Sequence, residues 1–532
     1  MNYRYLCKLL GIVLIMVSLP MALSLPWAFP ALGQAKEFEA DGFFGLCGGM
    51  ATGLAVSAVL LYLGRKSTGR LLTREAMATV GLSWVLASVI GSLPFLFSGV
   101  RRDAEHRLTV IDALFEAASG LTCAGASVLT DVENPDLVPR CILFWRSEMH
   151  LLGGLGIMVL FVAILGHGST GKALMRSESV GPWREASSGR MQHAAWTFAG
   201  MFISLNIVVI FLLRLLGMNW FDSLAHAFGT IATGGFGLRN TSLQHFNDWR
   251  IELVIGFFLL VSGVNYALLH LALIGQPSKL FKDTEFRTYA GIVACGVVIC
   301  ALAMYRSHDY LDIASFSTLS EDQQASYTEV GKFLVCLRHA FFQFASFITN
   351  TGFVSCDYDR WNDTSRGLLL VTAYIGSCTG STSCSIKVIR YVLLFKILKQ
   401  QFTRSFRPQL VQPLRVGGET IDDPEVGRGV VTYFTLVLTV SVVAWLLLIT
   451  IEPESTWANS NAPTKSRIVD CASGVAACFN GVGPGFGVVG PMQNYAAFST
   501  PSKIICMILM LMGRLEIYVF AVLFMPSFWR TR

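Results

Sequence analysis

Four apolar stretches of this chain close on a glycine among small residues: ALFEAASGLTCAG at Gly125, DSLAHAFGTIATG at Gly234, AFFQFASFITNTG at Gly352 and CASGVAACFNGVG at Gly483. Aligned on that glycine, each has an alanine seven residues earlier, namely Ala118, Ala227, Ala345 and Ala476. Glycine opens backbone conformations that other residues rarely adopt. Small neighbours let carbonyl oxygens face a shared axis, and a ring of carbonyls can replace the water around a cation without a fixed charge that would hold it. A helix ending at such a ring also turns its negative dipole end toward the ion. Asp112, Asp222 and Asp470 stand where three of the segments begin; they are expected as helix N-caps that also draw cations to the mouth.

The elements that must position these glycines follow from composition. The chain has 532 residues, 53% hydrophobic and 14% charged, with a mean hydropathy of +0.55. That is too apolar and too long for one soluble core. Its net charge of +6 does not indicate a nucleic-acid partner, because the basic residues sit in short loops between apolar spans, where they set orientation. The thirteen cysteines fit no paired metal spacing; Cys295, Cys300, Cys478 and Cys506 read as small packing residues rather than a disulfide framework.

Ten apolar runs are long enough to cross a hydrocarbon layer of ~30 Å, at 6–29, 43–64, 76–99, 141–166, 193–216, 251–275, 288–305, 367–397, 429–451 and 502–527. The first has the basic start of a signal peptide, but its apolar part is longer than a typical one and reads as a span, bent in its outer half by Pro20 and Pro26. Alternate loops carry Arg65, Lys66, Arg70 and Arg74, then Lys172 to Arg190, Lys279 to Arg287 and Lys396 to Arg415, so that side is cytoplasmic and both termini lie inside. The glycine segments fall in the opposite loops and, at about a dozen residues, are too short to cross. They must be re-entrant, and non-helical backbone at that depth has to be buried in protein or line a cavity.

The expected fold is an all-α polytopic membrane protein. Four helix, pore loop, helix repeats in pseudo-fourfold arrangement surround one pore, after an N-terminal two-helix unit. The boundaries are 1–64 for that unit, then 65–175, 176–282, 283–415 and 416–532 for the repeats.

The segments FEAASGLTCAGAS, HAFGTIATGGFG, ITNTGF and FNGVGPGFG, in this order and each between two spans, resemble the filter loops of the Trk/Ktr/HKT potassium-transporter superfamily, specifically the bacterial Trk-type membrane subunit. The resemblance covers nearly the whole chain. It implies potassium coordination by backbone carbonyls of Thr122, Cys123, Ala124 and Gly125, of Ile231, Ala232, Thr233 and Gly234, of Thr349, Asn350, Thr351 and Gly352, and of Asn480, Gly481, Val482 and Gly483. In this superfamily serine in place of the first glycine goes with sodium, so Gly125 implies potassium over sodium. Cys123 and Ala124 depart from the family's TTTG, which leaves the carbonyls in place but changes the side chains that support them.

Within the span at 367–397 lies a run of ten small uncharged residues: Gly376, Ser377, Cys378, Thr379, Gly380, Ser381, Thr382, Ser383, Cys384 and Ser385. It is either an intact helix with hydroxyls bonded back to carbonyls a turn earlier or an unwound loop shielded from lipid. The resemblance implies the loop, a gate beneath the filter, followed by the family-like IKVIR that contains Lys387. Arg514 and Glu516 lie inside the last span, where a charge costs at least ~2.5 kcal/mol and marks a functional site unless the two form a structural network. Similarity of GRLEIY to the family places Arg514 under the filter as an electrostatic barrier working with the gate.

GHGSTGKA at 166–173 nearly matches a phosphate-binding loop, but Ala173 replaces the metal-binding hydroxyl and a membrane helix precedes it. GGLG at 153–156 reads as a close-packing helix face. His226 and His339 read as satisfied polar residues rather than ligands. Potassium is the substrate and no covalent cofactor is expected. The resemblance further implies a peripheral nucleotide-binding regulatory subunit docked on the basic inner surface around Arg404 to Arg428, a homodimer, and the bacterial cytoplasmic membrane. Competing readings are a proton- or sodium-coupled symporter on the same scaffold, for which Arg514, Glu516 and Glu116 are the few candidate groups, and a membrane enzyme or receptor, for which no nucleophile and base share a cavity.

Overall fold

The computed structural model describes residues 2–32, 35–66, 73–165, 188–313, 327–407, 414–416, 419–421, 424–458, 460, 462–515 and 517–530. The apolar runs fold as helices. A leading pair, α1 (Tyr3–Ser18) and α2 (Ala40–Gly64), precedes four units, each with a re-entrant helix between two outer ones. The first unit has α3 (Thr73–Phe97), α4 (Val110–Thr122) and α5 (Arg140–Leu165). In the second, α6 (Ser188–Leu215) and α7 (Trp220–Ile231) lead to α8 (Trp249–Ser262) and α9 (Tyr266–Leu273). The third comprises α10 (Thr284–Arg306), α11 (Glu329–Ile348), α12 (Asp363–Tyr374) and α13 (Val388–Phe406), and the fourth α14 (Pro424–Ile451), α15 (Arg467–Asn480), α16 (Thr500–Leu515) and α17 (Ile517–Leu523). Two three-residue strands, β1 (Leu414–Val416) and β2 (Glu419–Ile421), form an antiparallel hairpin between the third and fourth units.

Six helices among the described residues are long and apolar enough to cross a membrane. Their packing relies on small residues, since lipid supplies no hydrophobic drive for helices to associate and close approach must supply contact instead. Between α1 and α2, a Cβ added at Gly53 would lie 2.1 Å from Ser18 Oγ, and Ser57 Oγ donates to the Gly11 carbonyl at 2.6 Å. The GGLG face of α5 behaves likewise at Gly153, against the Leu121 carbonyl, and at Gly154, against Ala232 and Phe202, but Gly156 faces open space. Cys300, Cys478 and Cys506 are buried, whereas Cys295 is exposed.

Three expectations are corrected. The span read as continuous over 251–275 is broken at 263–265, and α8 and α9 meet at 106°. The third re-entrant helix is not a dozen residues but 20, because its first two turns lie outside the buried part: Val330 and Leu334 are exposed, Cys336 is the first buried residue and burial is continuous from Phe342. The aspartates are not N-caps. Thr109 and Asn219 cap α4 and α7, accepting from the backbone N–H of Asp112 at 3.1 Å and of Asp222 at 2.7 Å, and Asp470 is the fourth residue of α15. Their carboxylates still sit at the positive end of the helix dipole. They do not stand free to attract cations, since Lys503 bonds Asp112 at 2.6 Å, Arg239 lies 3.7 Å from Asp222 and the Trp457 Nε1–H donates to the buried Asp470 at 2.9 Å. The phosphate-loop look-alike at 166–173 lies outside the described residues.

Gly53→Val places two methyls where Ser18 already sits. Overpacking of this kind costs about 1–3 kcal/mol, so the purified protein in detergent is expected to unfold at a lower temperature than wild type. An unchanged midpoint would show that α1 and α2 are not held by this contact.

Candidate functional site: a ring of carbonyls above an unwound loop

Each re-entrant helix ends in a turn with left-handed backbone at two alternate residues: Cys123 and Gly125, Thr233 and Gly235, Asn350 and Gly352, Gly481 and Gly483. The residue between them sends its N–H five residues back into the helix. Ala124 bonds Ser119 at 2.9 Å, Gly234 bonds Gly229 at 2.7 Å, Thr351 bonds Ser346 at 2.8 Å and Val482 bonds Ala477 at 2.9 Å. Both patterns set one register, and in it the second strand is Ala232, Thr233, Gly234 and Gly235. The expected strand Ile231 to Gly234 is therefore corrected by one residue: Gly235, with its positive φ, is the counterpart of Gly125, Gly352 and Gly483, and Ala232 that of Thr122, Thr349 and Asn480. The tandem glycines and Ala227 allowed the wrong alignment; Phe228 stands seven residues before the structural glycine.

The four glycines close a ring. A Cβ at Gly125 would lie 2.5 Å from the Gly234 carbonyl oxygen, at Gly235 1.8 Å from that of Thr351, at Gly352 1.7 Å from that of Val482, and at Gly483 2.6 Å from that of Ala124. Each strand's glycine thus receives a carbonyl of the next strand, and the fourth returns to the first. Positive φ and close backbone approach both demand glycine here.

The side chains of the strands turn into the protein. Thr122 and Asn480 bond back to Ala118 and Ala476 at 2.7 and 2.9 Å, Thr349 and Thr351 share a 2.8 Å hydroxyl contact, and Asn350 reaches the Ala373 carbonyl at 2.9 Å. Cys123 is fully buried, its thiol 3.6 Å from the His150 carbonyl. Outside the strands, Tyr495 donates its hydroxyl to the Gly483 carbonyl at 2.8 Å. Arg146 pairs with Glu116 and donates to the Gly237 carbonyl at 3.0 Å, while Glu116 also accepts from Ser127 Oγ and the Val128 N–H at 3.0 Å each. Arg146, His150 and Tyr495 were not singled out from sequence. Arg146 and His150 carried a signal, being polar residues inside an apolar run; Tyr495, in a loop, carried none.

Above the ring lies an open depression lined by Gly125, Gly235, Gly352, Pro484 and Tyr495. At its rim Arg239 lies 3.4 Å from Glu133. In the outer loop after the third strand, Asp359 accepts from Thr464 at 2.8 Å and from the Gly487 N–H at 3.1 Å and pairs with Arg366; burial holds its carboxyl above the usual carboxylate range, with the hydrogen bond from Thr464 and the charge of Arg366 acting against that. His226 and His339 are buried and bonded through Nδ1 to the Asp222 carbonyl at 2.7 Å and to Ser355 at 3.0 Å.

Below the ring the helix is unwound, not intact. Ile375 and Ile386 pair in a single parallel bridge, and Gly376 to Ser385 loop between them. Buried backbone needs partners at this depth, and the loop finds them on every side. Ser377 donates to the Ile348 carbonyl at 3.0 Å and Thr382 to that of Ile231 at 3.0 Å, both at the ends of re-entrant helices. Cys384 faces the Thr122 carbonyl at 3.8 Å. The break between α8 and α9 receives the other side, Cys378 N–H bonding the Gly263 carbonyl at 2.9 Å and Tyr266 N–H the Gly380 carbonyl at 3.2 Å. Glu285 accepts from the Thr379 N–H at 2.8 Å and from the Ile389 N–H at 3.1 Å. Lys387 folds over Ser381 and Ser383, and Ser385 bonds the Tyr374 carbonyl at 2.8 Å. Arg514 reaches in from α16, donating to the Thr382 carbonyl at 2.8 Å, Cys384 Sγ at 3.3 Å and the Gly153 carbonyl at 3.0 Å. Glu516 lies outside the described residues.

Alanine at Gly235 or Gly352 must leave the left-handed region, a cost of about 1–2 kcal/mol, and displace a neighbouring carbonyl as well. Either variant is expected to lose thermal stability and ion uptake together, while Gly367→Ala, in open space, leaves both near wild type. Uptake retained by Gly235→Ala would overturn the register.

The model of the family described as TrkH, cation transport protein, matches residues 46–531. The chain is 33% identical over 535 residues to the Trk system potassium uptake protein TrkH of Salmonella typhimurium, with all of both chains covered. It is also 33% identical over 473 residues, 88% of each chain, to the Trk system potassium uptake protein TrkG of Escherichia coli. The crystal structure of the potassium transporter TrkH from Vibrio parahaemolyticus has a TM-score of 0.80 to it at 28% identity, covering 100% of both chains.

Proposed function

The chain belongs to the TrkH family of cation transport proteins, and from that membership we propose that it takes up potassium through the closed ring of four glycine-carbonyl contacts. That ring is the observation that carries the reading: it brings equivalent carbonyls of Ala124, Gly234, Thr351 and Val482 together from four units of one chain. Neutral carbonyls replace an ion's hydration oxygens without trapping it. The filter comprises Thr122 to Gly125, Ala232 to Gly235, Thr349 to Gly352 and Asn480 to Gly483. The four units, with boundaries near 65–175, 176–282, 283–415 and 416–532, are the repeats of the pore, and 1–64 flanks them.

The loop Gly376 to Ser385 is the gate, seated directly under the strands by Ser377, Thr382 and Cys384. Arg514 holds it there and sets a positive barrier in the ion's path, and Lys387 adds a second charge beside Ser381 and Ser383. Glu116, the acid that a proton-coupled scheme would call on, is engaged by Arg146, Ser127 and the Val128 N–H, which favours passive flow over symport.

The chain lies in a bacterial cytoplasmic membrane with both termini inside. The basic inner surface from Arg404 to Arg428, which includes the β1–β2 hairpin, docks a nucleotide-binding regulatory subunit, and two copies of the chain form the working assembly. Its relatives are named as parts of a Trk system, which is in keeping with a partner.

The deciding measurement is flux into proteoliposomes under separately imposed potassium, sodium and proton gradients. Potassium is expected to move down its own gradient without the others; sodium flux without potassium flux would sink the reading. Arg514→Ala removes charged hydrogen bonds from the loop, and a loss of ~1.4 kcal/mol shifts a gate equilibrium about tenfold. Cation flux is therefore expected to rise by about that factor, and unchanged flux at normal surface expression would remove Arg514 from the gate.

A further inference from the structure

His150 stands in α5 one turn below Arg146 and is fully buried. Both of its ring nitrogens are used. Nε2 accepts the Phe236 N–H at 3.1 Å, so it carries no proton, and Nδ1–H donates to the Gly120 carbonyl at 2.8 Å. One neutral tautomer satisfies both partners; imidazolium, with two N–H donors, would confront the Phe236 N–H. The ring also lies against Phe236, tilted by 32° with centroids 4.3 Å apart, and fills the space beside Gly234, where a Cβ would lie 2.3 Å from it. The histidine therefore spans the end of the first re-entrant helix and the exit of the second strand, and Gly234, whose carbonyl rests on Gly125, is held against it.

The fourth unit shows what the position looks like without this strut. Gly513 abuts the Phe479 carbonyl as Gly153 abuts that of Leu121, with Cβ distances of 1.8 and 2.0 Å, and both carbonyls lie four residues before the strand glycine. Three residues before Gly513 is the buried Met510, where His150 stands before Gly153. The position accommodates an apolar side chain, so packing alone does not call for an imidazole.

We infer that His150 is a positioning residue for ion selectivity, fixing the separation of the first and second filter strands through its paired donor and acceptor. This rests on the potassium-filter reading. A carbonyl ring discriminates between cations by the spacing and field of its oxygens, so a loosened junction between two strands admits the smaller ion while the pore stays open.

The test compares wild type, His150→Gln and His150→Met in proteoliposomes, reading the potassium-to-sodium flux ratio alongside total flux and melting temperature. Glutamine keeps one donor and one acceptor and is expected to hold the wild-type ratio. Methionine copies position 510 in size but offers neither, and the ratio is expected to fall at least about tenfold, since two buried hydrogen bonds are lost and one alone is on that scale. A wild-type ratio in inserted His150→Met would overturn the inference, as would equal loss in the glutamine variant. Should His150→Met fail to insert, His150→Asn, too short to reach both partners, is read by the same criterion. Wild-type protein that does not itself prefer potassium would instead defeat the underlying filter reading, before any variant is compared.

Discussion

Each of four glycines stands closer to a carbonyl of the next unit than any side chain would permit, and the rest of the structure serves that approach. A backbone atom under 3 Å from where a Cβ would be cannot relax around a substitution. The helices that end at the ring must therefore arrive at one depth and one angle. Their burial is nearly total, from Asp112 onward in α4 and from Phe342 onward in α11, because short helices inside a membrane cannot leave backbone groups to lipid.

Closure of the ring requires the four units to be locked to one another, and each junction has a different polar pin. The first and second units are joined by Arg146 and His150, the second and third by the paired Glu252 and Arg338 at 2.7 and 2.8 Å. Asp359 ties the third to the fourth through Thr464 and the Gly487 N–H, and Lys503 closes the fourth onto the first through Asp112. Several of these are buried charges, for which loss of one partner costs about 3–5 kcal/mol. The fourfold arrangement is thus a symmetry of backbone. The side chains that hold it are not symmetric, and this is why the units share so little sequence.

The unwound loop beneath obeys the same accounting. Ten residues without helical hydrogen bonds would be untenable against lipid; here their hydroxyls and N–H groups are taken up by the ends of re-entrant helices, by Glu285 and by the matching break between α8 and α9. Two interruptions in separate spans satisfy each other. Arg514 bridges the loop to Gly153 on α5, the same helix whose His150 and Arg146 face the ring, so one helix face touches ring and loop alike.

Much of this was legible in the residues. Apolar runs fixed the helices, since a backbone in lipid has no alternative, and four glycine segments in matching loops fixed their re-entry. The run Gly376 to Ser385 left an intact helix and an unwound loop both open, and the family resemblance pointed to the loop. The break at 263–265 was marked only by Ser262, Gly263 and Asn265 within an otherwise apolar run, too short a signal to end a span, and the docking of Cys378 and Gly380 onto it comes from a distant unit. The aspartates read as caps turned out one turn in, as Thr109 and Asn219 compete for the same backbone donors. What the sequence by itself determined was the membrane setting, the helices, the fourfold plan and the presence of glycine wherever carbonyls crowd. Only the tertiary structure decided that Gly235 rather than Gly234 belongs to the ring, and that His150 and Tyr495 hold it, because those choices depend on which carbonyl a distant unit presents, and no local pattern records that.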